Sequence, residues 1–204
     1  MYNYRRYIVR VISGLAKGHK LKAPKGNTVR PTEDRIKESL FNILGNIKTD
    51  SQVLDAFGGS GSIGIEFLSR GAHKSYFVDN YQDSISAIKD NLNHTKLLDS
   101  AEIIKSDIFI ALNKFKSKKI KFDYIYLDPP FNREGLVDKV FKSIDELQLL
   151  NKNGLIIVEH EKDLALIDKM YGFKRVDNRS YGSKCIDFYK EDIEEDLDEG
   201  SISR

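Results

Sequence analysis

Apolar residues recur along this chain with two different spacings. Strand-length apolar runs lie at Gln52 to Phe57, Lys74 to Val78, Glu102 to Lys105, Phe122 to Leu127, Leu155 to Glu159, Phe173 to Val176 and Cys185 to Tyr189. Between the earlier runs, apolar positions return every three or four residues, as in Ile85, Ile88, Leu92 and in Val137, Val140, Phe141, Ile144. That is helical spacing. Strand alternating with helix predicts an α/β fold whose largely parallel sheet is covered on both faces. Only a short turn separates the last two strands, which predicts an antiparallel hairpin at the sheet edge. Ahead of this array, residues 7–13 (YIVRVIS) and the stretch from Lys20 to Ala23, joined across Gly14 to Gly18, predict a short basic hairpin. Thr32 is placed to cap a helix, with Glu33 and Asp34 in its first turn and Ile36, Leu40, Ile43, Leu44 and Ile47 along one face. The expected organisation is a hairpin-and-helix appendage over 1–48, a main domain over 49–190 and an acidic, disordered tail over 191–204.

Composition narrows the class. The 204 residues suffice for one α/β domain with a small addition and are too few for two full domains. With 40% hydrophobic and 31% charged residues the chain is neither disordered nor membrane-embedded. Cys185 is the single cysteine, which excludes an internal disulfide and a cysteine-based zinc site, and His19, His73, His94 and His160 are scattered, so no metal is expected. Arg5, Arg6 and Arg10 interrupt the first apolar stretch, which leaves no signal or spanning segment and points to the cytoplasm. The near-neutral net charge hides an asymmetry. Residues 1–48 hold 11 Lys/Arg against 3 acids, and residues 187–204 hold 2 against 8. The basic N-terminus suits a polyanionic partner, with a merely solvated basic face as the alternative.

Val53 to Gly64 (VLDAFGGSGSIG) reads as a strand, a glycine-rich turn and a helix start, where a ligand can touch backbone and face a helix N-terminus. Gly59, Gly61 and Gly64 formally satisfy the dinucleotide fingerprint, with Asp79 twenty residues beyond Gly59. Asp55 argues otherwise. A carboxylate at this strand end would repel a pyrophosphate and would favour a cation. S-adenosylmethionine carries an ammonium and a sulfonium, so the turn Phe57, Gly58, Gly59, Ser60, Gly61 with Asp55 suits that donor. Asp79, with Asn80 behind it, is placed to accept ribose hydroxyls. Asp107, after Ser106, could accept from the adenine amine or cap the helix that follows.

Tyr124 to Leu127 is an apolar strand that runs into Asp128-Pro129-Pro130-Phe131. The prolines stiffen the turn and have no N–H to offer, so the corner accepts hydrogen bonds from an amine. A nucleobase amine is a poor nucleophile because its lone pair is delocalised into the ring. Two acceptors, Asp128 and a proline carbonyl, can hold both N–H bonds and aim the lone pair, while Phe131 offers a ring on which the base can stack. Attack through a pyrimidine ring carbon would need a cysteine nucleophile, and Cys185 lies in the wrong place for it.

Arg10-Val11-Ile12-Ser13-Gly14 with Gly18 and Leu21, the block from Arg30 to Leu44 (RPTEDRIKESLFNIL), the glycine loop with Glu66, Ser69-Arg70-Gly71-Ala72, Asp128 to Phe131, Glu159 and Tyr181-Gly182 together resemble the bacterial 16S ribosomal RNA guanine-N2 methyltransferases of the RsmD type. The likeness runs to about Lys190. It implies a Rossmann-like class I methyltransferase with a seven-stranded sheet of order 3-2-1-4-5-7-6, S-adenosylmethionine as donor, S-adenosylhomocysteine as product, and a 16S rRNA guanosine methylated on N2, within the small ribosomal subunit. Gly58 stands where the family commonly has Ala, and Asp79 where it commonly has Glu. Arg10, Lys17, Lys20, Arg30, Arg35 and Lys37 could then hold phosphates while the guanine swings into the crevice. The lysine run from Lys114 to Lys121 is expected to be an exposed loop, and the protein to act as a monomer. Two alternatives stay open: another amino methyltransferase with an Asp/Asn-Pro-Pro-aromatic turn, acting on protein glutamine or DNA adenine, and a catalytically silent RNA-binding module.

Overall fold

The structure, a computed structural model, describes residues 9–24, 34–130, 135–164 and 166–193. The chain opens with β1 (Val9–Arg10) and β2 (Lys20–Leu21), an antiparallel pair only two residues long, followed by α1 (Asp34–Leu44). Then come β3 (Gln52–Asp55), α2 (Ser62–Ser69), β4 (Lys74–Asp79), α3 (Gln82–Thr95), β5 (Ala101–Lys105), α4 (Ile108–Ser117), β6 (Phe122–Leu127) and α5 (Leu136–Leu147). The chain closes with β7 (Leu150–Glu161), β8 (Lys169–Met170), β9 (Phe173–Tyr181) and β10 (Lys184–Glu191).

From β3 onward the strands form one sheet of order β5-β4-β3-β6-β7-β10-β9-β8. Strands β3 to β7 run parallel and the last three antiparallel. This is the expected 3-2-1-4-5-7-6 order with the two-residue β8 added at the edge. The order reverses between β3 and β6, and open α/β sheets bind ligands outside the carboxyl ends of such strands. Asp55 ends β3, and Asp128 follows the last residue of β6.

Both faces of the sheet are apolar and covered. Helices α4 and α5 pack Ala111, Leu112, Phe115, Val140, Phe141 and Ile144 against one face. On the other, α1 and α2 bring Ile36, Leu40, Phe41, Ile63 and Phe67 against Val53, Tyr126, Ile157, Ile186 and Phe188. The N-terminal hairpin shares a third cluster with α2 and α3, in which Val9, Val11, Ala16 and Leu21 meet Ile65, Leu68, Phe77, Ile88 and Leu92.

Polar contacts fix that hairpin as well. Glu66 of α2 is fully buried and accepts from the backbone N–H groups of Ile12 at 2.7 Å and Ser13 at 3.0 Å. Ser69 accepts from Ala16 N–H at 2.9 Å and donates to the Ser13 carbonyl at 2.5 Å. A Cβ on Gly14 (φ +82°) would lie 1.8 Å from the Ser69 carbonyl oxygen, so only glycine lets the loop lie this close.

Some expectations change. The basic run is not all loop: Lys114 and Lys116 belong to the last turn of α4, and Lys118 pairs with Glu102 at 3.4 Å. Helix α1 ends at Leu44, so Ile47 is buried beyond it and Ile43 is left exposed. Thr32 and Glu33, and the acidic tail from Glu194, lie outside the described residues. Before that tail, β10 runs to Glu191, and Asp192 is held by Lys169 at 2.6 Å and Lys174 at 3.4 Å.

Candidate active site

Strand β3 delivers Asp55 into the turn of residues 56–61. Its carboxylate accepts from the Gly64 N–H at 3.1 Å, which pins the start of α2 beneath the loop. Burial pushes the Asp55 carboxyl up to about 7; the Gly64 N–H pulls the other way and nearby Asp79 adds to the rise. The loop itself turns on positive φ at Gly59 (+53°) and Gly61 (+77°). It is tied across the sheet end by Gly58 N–H to the Val78 carbonyl at 2.9 Å. Asn91 of α3 braces it from outside, donating to the Ser60 carbonyl at 2.8 Å and the Lys22 carbonyl at 2.9 Å.

Asp79 ends β4 with its carboxylate oriented by two backbone donors, Gly59 N–H at 2.9 Å and Tyr81 N–H at 2.8 Å. Each oxygen keeps a further lone pair for a ligand hydroxyl. Asn80 is exposed beside it, and Ser106 donates its N–H to the Asp79 carbonyl at 3.0 Å. Asp107 caps α4, one of its carboxylate oxygens accepting from Phe109 N–H at 2.9 Å.

This donor set fits S-adenosylmethionine. A Cβ built on Gly59 meets nothing nearer than the Phe57 carbonyl oxygen at 3.9 Å, so among the described residues no side chain fills the space over that backbone. The half-buried Phe57 and the carboxyl groups of Asp55 and Asp79 lie at the same sheet end, a combination that favours a cationic nucleoside and opposes a pyrophosphate.

Asp128, Pro129 and Pro130 follow β6 at the same sheet end; Phe131 lies outside the described residues. The Asp128 carboxyl is pushed up to about 8, by burial first, then by Glu159, with Lys184 acting against the rise and Asp55 and Glu161 with it. In the sequence Glu159 enters only through the family likeness, and nothing there marks Tyr126 or Lys184 as part of a site. Tyr126 donates to one Glu159 oxygen, and Lys184 Nζ lies 3.1 Å from the other. These residues come from three strands, so no local motif announces them. A charged residue inside the apolar run LIIVEHE was the one available signal.

The basic residues divide. Lys17, Lys20 and Arg35 are exposed, and Arg10 is exposed while paired with Asp34 at 3.1 Å. Lys37 is a correction. Its side chain is fully buried, donates to the Arg10 carbonyl at 2.6 Å and lies 3.8 Å from Glu66, so it cannot reach a phosphate. Arg30 lies outside the described residues. Among the described residues no helix is long and apolar enough to cross a membrane, and no group of three or more His, Cys, Asp or Glu could hold a metal ion.

Comparison with known proteins bears on this site. Residues 9–190 match the family described as Conserved hypothetical protein 95. Ribosomal RNA small subunit methyltransferase D of Haemophilus influenzae is 39% identical over 78% of this chain and 82% of its own. The solved structure of the Escherichia coli methyltransferase-like protein YhhF covers 90% of this chain and 98% of its own, with a TM-score of 0.77 and 28% identity. The Thermus thermophilus 16S rRNA N2 G1207 methyltransferase RsmC, solved with AdoMet and guanosine, shares the fold at a TM-score of 0.64 and 21% identity, over 82% of this chain and 44% of its own.

Proposed function

The chain belongs to the Conserved hypothetical protein 95 family, the RsmD-type methyltransferases, and on that premise we propose that it methylates the exocyclic N2 amine of a guanosine in 16S rRNA. The observation that carries this reading is the pairing, at one sheet end, of a carboxylate-lined glycine loop with the Asp128-Pro129-Pro130 corner. S-adenosylmethionine, when bound, supplies an electrophilic methyl group on a positively charged sulfur. Asp55 and the turn from Phe57 to Gly61 would hold its charged end, Asp79 and Asn80 its ribose, and Ser106 and Asp107 its base.

The chain's own residues then act on the nucleobase. Asp128 and a proline carbonyl accept the two N–H bonds of the amine and turn its lone pair toward the methyl group; such positioning contributes several kcal/mol, up to roughly 7–11 in favourable intramolecular cases. As nitrogen gains its new bond it loses a proton, and Asp128, which already holds one of its N–H bonds, accepts it. Positive charge brought into the crevice favours the ionised form of Asp128 and so prepares it for both tasks. Phe131 would stack on the base. Arg10, Lys17, Lys20 and Arg35, with Arg30, would hold the RNA backbone. A hairpin of two-residue strands offers little surface for sequence readout, which assigns selectivity to the shape of the surrounding small subunit.

The test is to incubate the protein with radiolabelled donor and either small subunits or naked 16S rRNA, then digest to nucleosides. N2-methylguanosine is expected, and Asp128→Ala should abolish it while donor binding is largely kept. Label on adenine or on protein would overturn the assignment.

A further inference from the structure

Behind Asp128 the sheet gathers ionisable groups from every neighbouring strand: Glu159 and Glu161 of β7, Lys184 of β10, Tyr126 of β6 and Asp55 of β3. Lys184 and Glu161 are directly opposed in the antiparallel β7/β10 register. The Lys184 ammonium lies 3.1 Å from Glu159, 3.7 Å from Glu161 and 3.9 Å from Asp128. Glu159 is buried, whereas the Asp128 and Glu161 side chains each keep 31% of their surface and Lys184 13%. One ammonium therefore faces three carboxylates next to the Asp128 corner. Charges this close, partly withdrawn from water, do not ionise independently.

Two directions agree on what the cation does. Burial acts to lower the Lys184 ammonium, but Asp128, Glu159 and Glu161 outweigh it and raise it above the ordinary lysine value, so it stays charged across the neutral range. Lys184 opposes protonation of Asp128. A protonated Asp128 would lose one acceptor site and gain a donor, and could no longer hold a nucleobase NH2 as the reaction requires.

We propose that Lys184 is a positioning residue for methyl transfer, whose ammonium, held against Asp128, Glu159 and Glu161, favours the carboxylate form of Asp128 that accepts hydrogen bonds and a proton from the substrate amine. This rests on the amino-methyltransferase reading of the Asp128 corner. A purely structural ion pair joining β10 to β7 is the competing account, and the two differ in how activity depends on pH.

The experiment is the single-turnover rate of N2-methylguanosine formation, on small subunits, from pH 6 to 10. The wild-type rate should rise with pH to a plateau as Asp128 ionises. Lys184→Met should move the midpoint alkaline by about one pH unit, the lower end of the effect of a neighbouring opposite charge, with activity returning at high pH. Lys184→Arg should restore the wild-type midpoint. Glu161→Gln, which removes a partly exposed carboxylate, should move it in the acid direction and serves should Lys184→Met fail to fold. A midpoint unmoved in both Lys184→Met and Glu161→Gln, whatever their rates, would overturn the proposal. Wild-type product other than N2-methylguanosine would instead overturn the reading on which it rests.

Discussion

The Lys37 ammonium lies 3.8 Å from the Glu66 carboxylate, and neither side chain reaches solvent. Glu66 also accepts from Ile12 N–H, Ser13 N–H and Arg70 Nε, so one buried carboxylate joins α1, α2 and the N-terminal loop. Burial lowers the Lys37 ammonium from its usual range, with Glu66 and Asp34 opposing the shift. Removing one member of such a pair strands the other charge. Glu66→Ala should therefore cost about 3–5 kcal/mol, because it leaves Lys37 unpaired and two loop N–H groups without their acceptor. Lys37→Met, similar in volume, leaves Glu66 with three donors and should cost markedly less. Urea denaturation of both variants checks the order; equal losses would contradict it.

Two glycines of the loop region differ in what surrounds them. A Cβ on Gly64 would lie 2.3 Å from Cε1 of the fully buried Phe77 ring, whereas on Gly58 it would meet the terminal Cδ1 of Ile88 at 2.8 Å. A packed ring gives way less readily than a methyl at the end of a side chain. Gly64→Ala should destabilise by about 1–3 kcal/mol or more, and Gly58→Ala by less. Adding Ile88→Val, which removes that methyl, should recover part of the Gly58→Ala loss but none of the Gly64→Ala loss. Thermal denaturation of the two double variants checks this coupling.

The pH dependence of stability should carry the signature of Asp55. Its carboxyl ionises near 3.8 when unfolded and near about 7 in the fold. Between those values the folded state holds a proton the unfolded state has released, so this group's contribution falls as pH rises through that window and levels off above it. Asp55→Asn keeps an acceptor for the Gly64 N–H and cannot ionise. Relative to wild type it should gain about 2–3 kcal/mol between pH 5 and pH 8 in denaturant titrations, and calorimetry should show weaker S-adenosylmethionine binding. A variant whose stability runs parallel to wild type would show that Asp55 titrates normally.

Much of this arrangement was legible in the sequence, for physical reasons that also mark where legibility ends. Buried parallel strands must be apolar, so β3, β4, β6 and the centre of β7 stood out, and glycine and proline punctuated the two turns of the site. Lys37 was misread because basic residues near a basic terminus suggest a polyanion. Its position within the stripe formed by Ile36, Leu40, Phe41 and Leu44 was the overlooked sign that its side chain turns inward. Lys184, Glu159 and Tyr126 were illegible for another reason. Only the strand order β6-β7-β10 brings them together, and residues distant in sequence carry no spacing to read.

The anchoring of the N-terminal loop has a consequence for how the molecule is assembled during translation. The partners of Ile12, Ser13 and Ala16 lie 53 or 54 residues downstream, and Asn91, which binds the Lys22 backbone, lies 69 residues downstream. This hairpin is synthesised before its partners and must therefore wait for them until α2 and α3 have emerged and folded. Its backbone is fixed only once the half of the sheet that carries Asp55 and Asp79 exists, so the basic side chains proposed to hold RNA gain a defined arrangement no earlier than the site proposed to hold the methyl donor.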